Sequence, residues 1–143
     1  MNEFAVVLMK KDSDNIITEE VATIDIGSDA EYINSIFITG DGDGEMLNLQ
    51  LSTKSGVEDW EYTAIYDYYE EDKVLSGISE LVGNEASVSI CDEEFNPAWE
   101  YRFIIKDDAI DALEKVLKDI IQIHKDELQD VFLSIKDKEE EYL

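Results

Sequence analysis

The chain has 143 residues; 44% of them are apolar, and 36 acidic residues against 11 basic ones give a net charge of −25. A chain of this length is sufficient for one domain that buries about 70% of the surface its unfolded form exposes. The apolar fraction excludes general disorder. The negative field repels nucleic-acid phosphates and anionic membranes, so we expect no direct binding to either and favour a basic protein partner.

Cysteine and lysine usage indicates the cellular setting. Cys91 is the single cysteine, so an intramolecular disulfide cannot form, which is typical of a reducing cytoplasm. The apolar run near the amino terminus is too short for a secretion signal or a membrane span. The 11 basic residues include only one arginine, Arg102, and isoleucine is abundant, as in AT-rich bacterial genes. We therefore expect a bacterial cytoplasmic protein.

Most of the chain before residue 107 has the alternating apolar pattern of β-strands. Strands are predicted at residues 4–9, 16–26, 35–39, 45–53, 58–69, 86–92 and 98–106. The segment 58–69 places one set of alternating side chains on one face: Trp60, Tyr62, Ala64, Tyr66 and Tyr68. The spacing of Val74, Ile78 and Leu81 predicts a short helix near 74–83 that ends at Gly83.

The stretch ITGDGDGEMLNL, Ile38–Leu49, has two competing interpretations. Its acidic, glycine-rich centre resembles a calcium loop, but Thr39 and Gln50 stand where such a loop needs its first carboxylate and its bidentate glutamate. The flanking residues alternate as strands do, so a tight β-hairpin is predicted. The alternative is a weak cation site at the hairpin tip, formed by Asp41, Asp43 and Glu45.

From residue 107 onward the apolar period changes to that of a helix. The stripe consists of Ile110, Leu113, Leu117, Ile121, His124, Leu128, Val131 and Ile135. It predicts one long amphipathic helix over about residues 108–138, about 45 Å long and longer than a sheet of this size covers. The distal half is therefore a candidate surface for a protein partner or a homodimer, through His124, Leu128, Val131, Phe132 and Ile135.

No catalytic signature is present in the sequence. His124 is the only histidine, so a two-histidine metal site cannot form within one chain, and its place on the apolar stripe favours a packing role. The acidic neighbours of Cys91 oppose a thiolate nucleophile. A phosphate-binding glycine loop, a nucleophile elbow and a dinucleotide fingerprint are all missing. We predict no catalytic residue and no cofactor.

These elements predict a single α+β domain over residues 1–143. Its mostly antiparallel sheet of about seven strands, curled or barrel-like, would pack against the long C-terminal helix. The order of elements, strands followed by one long helix, resembles that of pleckstrin-homology-like barrels. The resemblance is one of element order alone, and the basic lipid pocket that such domains often use is absent here.

Three functions are compatible with these features. The favoured one is a non-enzymatic cytoplasmic binding protein, such as an adaptor, an immunity-type inhibitor or a chaperone-like partner of a basic protein. The first alternative is a mimic of nucleic-acid charge that inhibits a DNA- or RNA-binding protein. The second is an enzyme without a recognisable motif.

The net charge generates a prediction about stability. Repulsion among the excess acids opposes folding, so raising NaCl from about 20 mM to about 300 mM should raise the melting temperature. Lowering the pH from about 7 to about 5 should also stabilise the fold, because a carboxylate among carboxylates binds its proton more tightly when folded. Thermal unfolding followed by circular dichroism checks both. Unchanged or lower stability in both conditions would show that the acids are locally compensated.

Overall fold

The computed structural model describes residues 5–12, 16–40, 45–53, 56–83, 85–91, 96–105 and 112–142. The strands of this part are β1 (Ala5–Lys11), β2 (Ile17–Asp25), β3 (Ile33–Gly40), β4 (Glu45–Ser52), β5 (Ser87–Ile90) and β6 (Ala98–Ile105). Its α-helices are α1 (Asp59–Tyr68), α2 (Glu71–Val82) and α3 (Leu113–Ile135). Two 3₁₀ segments, Gly27–Tyr32 and Glu139–Glu141, complete the described elements.

The described strands form one open sheet in the order β2-β1-β3-β4-β6-β5. Neighbouring strands are antiparallel, except that β1 and β3 are parallel, with Met9 opposite Phe37. Strands β2 and β5 are the two edges, so the described sheet does not close. The predicted α+β class and the mostly antiparallel sheet are confirmed, whereas barrel-like closure is wrong.

The segment 58–69, predicted as a strand, is helix α1. Glu58 and Glu61 form a capping box in which each side chain accepts a hydrogen bond from the other residue's backbone N–H. This box satisfies two of the free donors at the helix start, and the acids of the first turn favour the positive end of the helix dipole. The alternation of the aromatic residues predicted a strand, but positions 60, 64 and 68 are four residues apart, which is also the spacing of one helical turn.

The hairpin predicted at Ile38–Leu49 is confirmed in its strand pairing. Strands β3 and β4 run antiparallel, with Thr39 opposite Met46 and Gly40 opposite Glu45. The tip, residues 41–44, lies outside the described residues. The pairing agrees with a sequence in which leucines alternate with polar residues along β4.

The helices and the inward-facing strand residues share one core. The largest fully buried side chains are Trp99, Tyr101, Phe103, Leu8, Ile38, Leu47, Leu49, Leu51, Ile65, Ile78, Leu113 and Leu117. The alternate strand residues lie on the other face of the sheet, where Val7 and Ile104 are each about half exposed. All helix packing in the described chain is therefore on one face of the sheet.

Helices α2 and α3 overlap the predicted helices but have different bounds: α2 begins at Glu71 rather than near residue 74, and α3 ends at Ile135 rather than near residue 138. Helix α2 ends at Gly83, whose φ of 75° is readily adopted by glycine and whose backbone N–H donates to the Ser79 carbonyl. Helix α3 has 23 residues, and both α1 and α2 pack against it. Within the described residues, no helix combines the length and the apolar character needed to span a membrane.

The two tryptophans should differ in their contribution to stability. Trp99 on β6 is fully buried, so Trp99→Ala should lower the free energy of unfolding by about 3–5 kcal/mol. Trp60 on α1 is only half-buried, so Trp60→Ala, its matched control, should cost about 1 kcal/mol. Urea denaturation followed by far-UV circular dichroism measures both values. Equal losses in the two variants would contradict this assignment of the core.

Candidate functional site

Four buried polar groups form one directed chain of hydrogen bonds beneath α3. The Ser52 carbonyl can only accept, so His124 Nε2–H donates to it at 2.9 Å. Burial lowers the pKa of His124 to about 4, so at neutral pH the ring is uncharged and its Nδ1 must accept. The donor to Nδ1 is the Tyr69 hydroxyl at 2.8 Å, and the Tyr69 oxygen accepts from the Tyr101 hydroxyl at 2.7 Å.

Aromatic rings enclose this chain of hydrogen bonds. Tyr69 stacks on Trp99 with ring centroids 3.9 Å apart, and His124 meets the Trp99 ring edge-on at 5.5 Å. Burial raises the pKa of Tyr69 and of Tyr101 well above the usual value, so both phenols stay protonated and remain donors. With each of these side chains buried, the network holds α3 against the sheet. We call it the interior network.

The residues predicted for partner contact on α3 are mostly core residues. His124, Leu128, Val131 and Ile135 are each 4% exposed or less, so these side chains present no surface to a partner. The reason is helix α1, which the sequence analysis placed in the sheet as a strand. Helices α1 and α2 both pack on α3, and their junction contacts its distal half, where Tyr69 bonds to His124 and the Glu70 N–H to Glu127.

Phe132 is the one member of that predicted set at the surface. It is 37% exposed, and its neighbour Leu133 is 66% exposed. Phe132 lines a concavity of about 380 Å³ together with Tyr32, Thr53, Gln122, Lys125, Asp126, Leu128 and Gln129. Phe132 and Leu133 are the exposed large apolar side chains of α3.

The predicted weak cation site falls only partly within the described chain. Asp41 and Asp43 lie outside the described residues. Glu45 is described, and its Oε1 lies 3.0 Å from Lys10 Nζ, so it already pairs with a cation of the chain itself. Among the described residues, no group of three His, Cys, Asp or Glu side chains could hold a metal ion.

An acidic groove of about 480 Å³ lies where the junction of α1 and α2 faces α3. Its lining consists of Tyr68, Glu70, Glu127, Asp130, Val131, Ser134 and Lys138. A neighbouring concavity of about 500 Å³ shares Glu70 with it and adds Tyr69, Glu71, Asp72 and Lys73. The two concavities together place five carboxylates beside the start of α2.

Glu127 is a buried carboxylate in the lining of this groove. Its side chain is only 4% exposed, and Oε2 accepts a hydrogen bond of 2.9 Å from the Glu70 backbone N–H. Glu70 is the N-cap residue of α2, at the end of the helix where backbone donors are left unpaired and the helix dipole attracts an anion. Oε1 is also buried but has no hydrogen-bond partner among the described residues. Its ion-pair contact is Lys73 Nζ at 3.5 Å.

The acidic residues around the groove stabilise a positive charge that lies beside them. Lys73 Nζ lies between Glu127 Oε1 and Asp130 Oδ2, at 3.5 and 3.7 Å, and these carboxylates, Glu127 above all, raise the pKa of Lys73. Burial and the charge of Asp72 raise the pKa of Glu71. On the far side of the groove, Lys138 Nζ lies 5.7 Å from the centre of the Tyr68 ring. A lysine of the chain thus contacts the groove at each side.

Glu127 was missed by the sequence analysis, although the sequence carries a signal for it. It stands three residues after His124 and four before Val131, on the stripe whose other members are buried. A carboxylate at such a position must find hydrogen-bond donors or lie at the edge of the core. Its donor, the Glu70 backbone, is 57 residues away in the chain, so the sequence does not reveal the pair.

Comparison with known proteins places the chain in a family without assigning a role. The whole chain, residues 1–143, matches the model described as Family of unknown function (DUF6762), and the chain belongs to that family. No curated protein and no solved structure matches it.

His124 should make the protein sensitive to acid. Its folded-state pKa of about 4 lies below the ordinary 6.5, so its contribution to stability is complete above about pH 6.5 and is lost as the pH falls towards 4. Between about pH 7 and about pH 5 this loss amounts to about 2 kcal/mol and opposes the gain expected from the carboxylates.

The variant His124→Gln isolates this contribution, because glutamine can still bond to Ser52 and Tyr69 but does not titrate. Urea denaturation of both proteins at the two pH values gives the comparison. The wild type should lose about 2 kcal/mol more than the variant on acidification. An equal pH dependence in the two proteins would contradict the buried, neutral histidine.

Proposed function

We propose that this member of the DUF6762 family is a non-enzymatic binding protein whose acidic groove receives a cationic side chain of a basic protein partner. The observation that carries the proposal is the buried Oε1 of Glu127, which has no hydrogen-bond partner among the described residues. Glu70 and Asp130 line the same groove and add to its negative field. A bound cation would supply charge-assisted hydrogen bonds, which are stronger than neutral ones.

The distribution of charge supports an acidic face on this side of the domain. Residues 58–85, which include α1 and α2, hold nine acidic residues and one basic residue, Lys73. Helix α3 is more balanced, and two of its lysines pair with its own acids: Lys115 with Asp119 and Lys118 with Glu114. An acid-rich border speeds the approach of a basic partner and makes the complex sensitive to salt.

The lining of the groove also suits a cation on a long side chain. Tyr68 supplies an aromatic ring, and the distance of Lys138 Nζ from its centre, 5.7 Å, is typical of a cation–π contact. Carboxylates and an aromatic ring together fit lysine or arginine better than a bare metal ion, which would need more oxygen ligands.

The setting we propose is the bacterial cytoplasm. It is supported by the single cysteine and by the excess of lysine over arginine. An adaptor, an inhibitor and a chaperone-like partner would all use an acidic groove in the same way. Identifying the basic protein that co-purifies with the chain would distinguish these roles.

Substitutions in the groove should weaken binding of a basic peptide. The probe is a ten-residue peptide with alternating glycine and basic residues, lysine and arginine in equal number, titrated into the full chain by isothermal calorimetry. Glu127→Gln and Asp130→Asn should each weaken binding about fivefold, or about 1 kcal/mol, because each removes a carboxylate that would contact the bound cation. Binding should also fall as NaCl rises from about 20 mM to about 150 mM.

The matched control is Asp119→Asn, which makes the same substitution on α3 at a residue paired with Lys115. It changes the net charge equally but lies outside the lining of the groove, so it should weaken binding less than about twofold. Circular dichroism checks the fold of Glu127→Gln, whose amide oxygen can still accept from the Glu70 N–H. Equal effects of Asp130→Asn and Asp119→Asn would show that the peptide senses only overall charge, and the groove would lose its role.

A further inference from the structure

Lys73 lies where the cation of a partner would bind. Resting on the proposed function, we infer that Lys73 is an intramolecular stand-in for this cation and that the groove selects an arginine, which displaces it. The Nζ atom of Lys73 lies 3.5 Å from Glu127 Oε1 and 3.7 Å from Asp130 Oδ2. A charge-assisted N–H···O bond is about 2.7–2.9 Å long, so the ammonium lies between the two acceptors without reaching either closely.

The contact of Lys73 is easily broken. Its side chain is 61% exposed, and that of Asp130 is 65% exposed, so water competes for both. The pair with Asp130 is an exposed one and contributes little to stability. Glu127 is buried, so its carboxylate has to keep a cation nearby, and the incoming ligand supplies that cation in place of Lys73. Lys73 therefore shields the buried oxygen of Glu127 in the free protein, and a better ligand displaces it at small cost.

A guanidinium meets the needs of this groove better than an ammonium does. Its planar fork carries five N–H donors, so one arginine can bond to Glu127 Oε1 and to Asp130 at the same time. The same plane can stack on the Tyr68 ring of the groove lining, where it would take the place that Lys138 Nζ holds at 5.7 Å from the ring centre. A lysine of the partner would bring one compact ammonium, as Lys73 does, and would share it between the same two acceptors.

The chain supplies no arginine of its own to this position. Its single arginine, Arg102, lies on β6, where the neighbouring side chains Tyr101 and Phe103 turn into the core and Arg102 faces away from the helices. There Arg102 Nη2 donates to Glu100 at 2.6 Å and Nε donates to Asn48 Oδ1 at 3.1 Å. An arginine in the groove must therefore come from another molecule, and the chain's own contact there is the weaker lysine.

The test compares two peptides of equal length and charge, one alternating glycine with arginine and the other alternating glycine with lysine. Both are titrated by calorimetry, at about 20 mM NaCl, into the full wild-type chain and into Lys73→Met. The wild type should bind the arginine peptide about fivefold more tightly than the lysine peptide. Lys73→Met should bind both peptides about fivefold more tightly than the wild type does, because the intramolecular competitor is gone.

The matched control is Lys115→Met, which removes the same charge from α3 at a lysine paired with Asp119 and outside the groove. It should tighten binding less than about twofold, through the overall charge alone. Both substituted lysines are largely exposed, and thermal unfolding verifies that each variant folds.

The outcomes separate this inference from the proposed function. If the two peptides bind equally, or if Lys73→Met binds no more tightly than Lys115→Met, the inference is overturned. The proposed function still holds in that case, provided that Asp130→Asn weakens binding and Asp119→Asn does not. If neither peptide binds to the wild type or to Lys73→Met, both the proposed function and the inference are overturned.

Discussion

The hydrogen bond from His124 to the Ser52 carbonyl is the contact on which the rest of the structure depends. It joins α3 to the end of β4, and because the carbonyl can only accept, it fixes the imidazole as the acceptor for Tyr69. Tyr69 is also held by the Trp99 ring and by Tyr101, so the junction between α1 and α2 is anchored to the sheet and to α3 together. A buried polar network in which each member is paired rigidifies the elements that it joins.

The acidic groove follows from this anchor. Glu70 is the residue after Tyr69, and Glu127 lies one helical turn after His124, so the two contacts stand side by side between the same elements. When Tyr69 bonds to His124, the Glu70 N–H is brought to the Glu127 carboxylate at the start of α2. The interior of the domain thus sets the geometry at the floor of the groove, and the surface acids around it supply the field. The interior network itself is uncharged at neutral pH, because burial disfavours the charged form of His124.

Glu127 is a charged residue on the buried, mostly apolar face of α3. Burying a carboxylate costs free energy unless donors satisfy it, and here the start of α2 satisfies only one of its oxygens. Lys73 offsets part of that cost at long range, from a largely exposed position. An apolar residue would pack at this position without such a cost. The incomplete pairing of Glu127 is therefore a feature of the fold that packing alone does not account for.

Much of the secondary structure was determined by the sequence, because it depends on neighbours within a turn or a strand. The leucines of β4, the glycine that ends α2 and the apolar stripe of α3 each identify their element by local spacing. The aromatic segment 58–69 satisfies both the strand period and the spacing of one helical turn, and its capping box together with packing on α3 selects the helix. Because this segment is a helix that packs on α3, the side chains of His124, Leu128, Val131 and Ile135 are covered. Only the tertiary structure decided which carboxylate lies in the groove, because Glu127 meets its donor across 57 residues of chain and local periodicity carries no information about such a pair.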